Sequence, residues 1–96
     1  MTMYYVMLEV VPNADNEEKD ECEGAFLNCW VKTDSEEEAV ELAKEYAEQE
    51  GWEVLGVEEC RAVKREDYIG SEEEEENLEI LDEAAENGLA GIFYTW

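Results

Sequence analysis

The chain reads as an α+β fold, a two-layer sandwich of a mixed four-stranded sheet with two helices on one face, in the order β-β-α-β-α-β. Three observations predict it. Four segments are rich in β-branched and aromatic residues with two-residue alternation. Two segments carry an apolar stripe at helical spacing behind a serine with glutamate three residues on. A glycine follows each of these helical segments, where a left-handed stop belongs. Ninety-six residues suit one domain, residues 1–96, with one modest core.

The first strand is "YYVMLEVV", residues 4–11, stopped by Pro12. Tyr4, Val6, Leu8 and Val10 fall on one face, and Tyr5, Met7 and Glu9 on the other. Residues 13–23, "NADNEEKDECE", form an acidic connection with Asn and Asp in turn positions. It is longer than an ordinary hairpin loop. The second strand, "GAFLNCWVK", spans 24–32. Its small and aliphatic set, Ala25, Leu27, Cys29 and Val31, reads as core, and Phe26, Asn28, Trp30 and Lys32 take the other face.

The first helix is "TDSEEEAVELAKEYAEQEG", 33–51. Thr33, Asp34 and Ser35 each offer a capping box, and Ala39, Leu42, Ala43, Tyr46 and Ala47 make one buried stripe. The third strand, 52–64, has an ambiguous face: Trp52 and Val54 argue one way, Leu55 and Val57 the other, and Gly56 suits a bulge. Residues 65–70 read as a turn. The second helix opens at "SEEEEENLEI" with Ser71 and Glu74 as another S-x-x-E pair, and its stripe is Leu78, Leu81, Ala84 and Ala85. Glutamates in a first turn complement the helix dipole, and those beyond it repel one another. Helix start therefore explains part of the run, and the rest projects as a charged spur, an acidic patch of Glu72, Glu73, Glu74, Glu75 and Glu76. "LAGIFYTW", 89–96, closes as a fourth strand pinned in the sheet.

Strands two and three, joined by a capped helix, should run parallel through a right-handed crossover, and strands one and two should be antiparallel neighbours. With both helices on one face, the other face exposes Tyr5, Met7, Phe26, Asn28 and Trp30, joined by Tyr94 and Trp96. An apolar patch of this kind marks an interface.

Charge sets the partner class. Asp and Glu number 29 against six Lys and Arg, a net charge of −23. Such a surface repels phosphate, which argues against direct nucleic-acid binding and against anionic membranes. Solubility, adaptation to high salt, and imitation of a polyanion in a basic cleft are the competing explanations. The chain has no histidine, which removes His-based general bases, His-activated nucleophiles and the usual zinc sites. No glycine-rich phosphate loop occurs. Three cysteines without CxxC spacing fit a reducing cytosol. Cys60 lies beside Arg61 and Lys64 in sequence, an arrangement able to depress a thiol pKa. Residues 13–24 fail the calcium-loop pattern, with Glu18 where glycine is needed and Gly24 where the closing glutamate belongs. The N-terminal segment has no basic n-region, and no apolar run reaches membrane-span length.

The sequence therefore predicts a cytoplasmic, non-enzymatic interaction factor without cofactor or metal, its partner a protein with a basic surface. The alternative is a small domain dimeric through its sheet face that binds a small ligand or regulates a neighbouring protein.

Overall fold

The computed structural model describes residues 2–14, 16 and 21–96. The elements are β1 (Thr2–Pro12), β2 (Ala25–Thr33), α1 (Glu36–Gln49), β3 (Trp52–Val63), a 3-10 turn (Arg65–Tyr68), α2 (Glu74–Asn87) and β4 (Leu89–Thr95). One sheet holds all four strands in the order β3-β1-β2-β4. Part of the 13–23 connection lies outside the described residues.

The α+β class and the element order are those expected; the sheet is antiparallel rather than mixed. β1 sits between β2 and β3 and opposes both, and β2 opposes β4. β2 and β3 do run in the same direction, but β1 separates them, so among the described residues no hydrogen-bonded strand pair is parallel. The α1 crossover spans an intervening strand.

The main core is the helix-on-sheet layer predicted. Val6, Leu8, Val10, Ala25, Leu27, Cys29 and Val31 are fully buried beneath Ala39, Ala43 and Ala47 of α1. Alanine at these three positions lets the helix axis come close to the pleat. Ser35 is the N-cap, its hydroxyl accepting from the Glu38 N–H at 3.1 Å. Gly51 and Gly88, at φ of 92° and 90°, follow the two helices in the left-handed region.

The placement of the second helix corrects the expectation that both helices share a face. Leu81 and Ala84 of α2 are buried with Trp30, Val63 and Ala90, and with partly buried Met3, Tyr5 and Tyr68. Tyr5 pairs with Trp30, Met3 with Val63 and Trp30 with Ala90 across the ladders. All of these side chains project from the face opposite Val6, Leu8 and Leu27. α1 therefore covers one face and α2 covers part of the other. An Arg65–Asp82 ion pair ties the 3-10 turn to α2, and Lys32 Nζ donates to the Ala85 carbonyl at 3.3 Å.

α2 also starts differently from the expected capped helix. Glu73 is its N-cap residue without a side-chain cap bond, and Ser71 donates its hydroxyl to the Tyr68 carbonyl at 2.8 Å. Ser71 belongs to the preceding turn. Within the predicted stripe Ala85 is exposed, while Ile80 is partly buried.

Candidate interaction site

The five residues read as an interaction face do share a face, but α2 divides them. Trp30 is 5% exposed, and its indole N–H donates to the Tyr68 hydroxyl at 3.1 Å. It is a core residue of the α2 layer and cannot meet a partner. Tyr5 is half-buried beside it, the rings 5.4 Å apart, with the guanidinium of Arg61 5.4 Å from the Tyr5 ring centre. Its hydroxyl donates to Asn28 Oδ1 at 2.9 Å. Burial, then the neighbouring Glu59 carboxylate, raises the Tyr5 pKa.

Beyond α2 the same face stays open. Met7, Phe26, Asn28 and Ile92 are half-buried, and Tyr94 and Trp96 are 50% and 49% exposed. Phe26 and Trp96 pack at 4.8 Å between ring centres. The Trp96 indole lies over Gly24, where a Cβ would sit 2.8 Å from Trp96 Cζ2. Trp96 N donates to the Gly24 carbonyl and Glu23 N to the Trp96 carbonyl, which extends the β2–β4 ladder beyond β4. The final segment is thus pinned, as its apolar content predicts.

The acidic run lies at the start of α2. Glu72, Glu73, Glu75 and Glu76 are exposed and Glu74 is half-buried. Glu74 precedes the buried Leu81 by about 10 Å of helix axis.

On the α1 face an open groove of about 990 Å³ adjoins the C-terminal half of β4. Its floor is aromatic: Phe93 lies between Trp52 and Tyr46 at 5.2 and 5.9 Å, both at 17° between ring planes. Its rim includes Glu21, Glu48 and Glu50. Asn13 N and Asn16 Nδ2 both donate to the Gly51 carbonyl, at 3.0 and 2.9 Å, which fastens the β1–β2 connection to the turn after α1. Burial, then Glu50, Cys29 and Glu83, raises the Tyr46 pKa. Sequence reading missed this groove. Its three glutamates are lost among 29 acids, and Trp52 was the ambiguous end of β3.

Cys60 departs from its sequence neighbours. Burial raises its thiol pKa, and the Glu36 carboxylate raises it further by charge and by hydrogen bonding. Arg61 cannot oppose this, because it pairs with Tyr5 on the opposite face while Cys60 pairs with Val6. The thiol pKa is thus raised, and the depression that Arg61 and Lys64 could have caused does not occur. Burial alone pushes the Cys29 thiol up to about 12. Among the described residues no group of three or more Cys, Asp or Glu is placed to hold a metal ion, and no helix is long and apolar enough to cross a membrane.

No family model, no curated protein and no solved structure matches the chain.

Proposed function

We propose that the chain is a small acidic, non-enzymatic interaction factor that occupies a basic site on another protein, as an inhibitor or a polyanion mimic would. The observation carrying this reading is the charge, −23 on 96 residues. A surface of that density draws cationic partners over a Debye length and resists self-association at low salt. The half-exposed Tyr94 and Trp96 supply apolar anchors of the kind found at interface centres.

The test is affinity capture on the immobilised chain at about 0.05 M ionic strength, elution by salt, and reconstitution of the complex from purified components. A basic protein that rebinds in pure form, with affinity falling steeply as salt rises, is the expected result. Failure to retain a partner at low ionic strength, or salt-independent binding, counts against the proposal.

Homodimerisation through the open half of the sheet is the second reading, favoured by Phe26, Tyr94 and Trp96. It predicts a dimer mass in light scattering at high salt that Phe26→Asp reduces to the monomer.

A further inference from the structure

The two margins of the sheet are unlike. β3 forms one, and it carries Glu53, Glu58, Glu59 and Arg61 with register shifts opposite Met7/Leu8 and Glu9/Val10. Charges and bulges are the devices that keep an edge strand from pairing with a stranger. β4 forms the other margin. Its sequence, LAGIFYT, has no charge and no proline, and its register with β2 is unbroken from Leu89 to Thr95. Among the described residues it pairs with β2 alone.

The ladder fixes which groups face outward. Lys32 N donates to the Gly88 carbonyl and Trp96 N to the Gly24 carbonyl, so the even-numbered positions of this strand bond to β2. Pairs alternate along an antiparallel ladder, which turns the N–H and C=O groups of Leu89, Gly91, Phe93 and Thr95 outward. The side chains on the two faces of this margin differ as well. The odd-numbered face meets the groove, with Phe93 in the floor and Glu21, Glu48 and Glu50 at the rim. The even-numbered face presents Ile92 and Tyr94 next to Phe26 and Trp96.

We infer that the free margin of β4 takes up an extended segment of a basic protein in which cationic and apolar residues alternate. The added strand lies one ladder spacing beyond β4, with main-chain bonds to Leu89, Gly91, Phe93 and Thr95 supplying affinity and alternate side chains supplying selection. Its lysine or arginine side chains enter the groove, alongside Phe93 and between the glutamates. Its apolar side chains lie along Ile92 and Tyr94. A second copy of the chain is the poorer occupant, because it brings another −23 charges to the same margin. The inference rests on the reading that the partner is basic and adds where and in what conformation it docks.

The probe is a capped synthetic peptide of about ten residues alternating lysine and valine. Two controls keep the same charge. One is N-methylated at every backbone amide, so that it cannot extend the ladder through either edge; the other has prolines interspersed. At low salt the unmodified peptide should bind about tenfold or more tighter than either control. It should also slow hydrogen exchange at Leu89, Gly91, Phe93 and Thr95 by about tenfold or more. Glu48→Gln with Glu50→Gln should weaken the unmodified peptide severalfold and leave the fold intact. Equal binding of all three peptides overturns edge pairing while leaving charge attraction standing. Binding of none, unchanged exchange at the four amides, or a peptide-free dimer that protects the same amides also overturns it.

Discussion

Trp30 lies under α2 with its indole N–H satisfied by Tyr68, so its substitution tests stability rather than association. Trp30→Ala removes a buried ring and should cost about 3–5 kcal/mol in urea unfolding. Tyr68→Phe deletes only the acceptor and should cost about 1 kcal/mol. If Trp30→Ala unfolds with the native midpoint, α2 does not sit on the ring. Cys29 gives a pH signature. Its folded pKa, about 12, stands above the ordinary 9.0. The unfolded thiol therefore ionises first, and the stabilisation from keeping it neutral is complete below pH 9 and lost as pH rises toward 12. The slope expected from this group is roughly 1.4 kcal/mol per pH unit. Urea midpoints measured across that range should fall less steeply in Cys29→Ala than in the parent chain. At this scale the strand faces were legible in the sequence: Val6, Leu8, Leu27 and Cys29 are core, and Tyr5, Met7, Phe26 and Trp30 do lie opposite them. The Cys60 environment was not legible. Sequence adjacency puts Arg61 beside the thiol, whereas the pleat sends the two side chains to opposite faces.

The two S-x-x-E signatures separate at the level of elements. Ser35 caps α1 through the Glu38 N–H, whereas Ser71 bonds back to Tyr68. Ser35→Ala should therefore cost about 1 kcal/mol, and Ser71→Ala no more than about 0.5 kcal/mol. Equal losses in thermal unfolding would show that both serines cap. The reason the pattern misleads at Ser71 is the Tyr68–Gly70 turn: a hydroxyl engaged with a carbonyl behind it cannot also serve the helix ahead. β3 shows a second limit. Register shifts against β1 on either side of Gly56 break the two-residue alternation. Trp52 and Val54, opposite Pro12 and Val10, take the α1 side, and beyond the shifts Val57 and Cys60, opposite Leu8 and Val6, take it too, a spacing that alternation through the strand cannot produce.

For the whole molecule, charge and layering set the expected behaviour. Self-repulsion among 29 acids opposes the folded state and is screened by salt. Raising sodium chloride from about 0.01 to 1 M should lift Tm by about 5 °C or more. A flat Tm would mean that the carboxylates are too dispersed to strain the fold. The same screening should weaken the proposed complex with a basic partner, so one salt titration moves stability and affinity in opposite directions. Covering part of the second face with α2 also narrows what can dock there. The proposed contact area therefore moves from the middle of the sheet, where Trp30 was expected, to the end bearing Phe26, Tyr94 and Trp96 and to the β4 margin beside it.

Local pattern carried the number, order and type of the elements, their buried stripes and the anionic surface, because alternation, helical spacing, caps and charge are written in consecutive residues. The side of the sheet chosen by α2 is not written there. An amphipathic stripe records that a residue is buried but not against which face, and both faces of this sheet carry apolar side chains. Packing settles the choice: α1 and the Trp52–Phe93–Tyr46 stack fill one side, which leaves Met3, Tyr5, Trp30 and Ala90 as the apolar area available to a second helix. Strand order settles the rest, because the order β3-β1-β2-β4 makes the uncharged β4 an outer strand that pairs with β2 alone among the described residues.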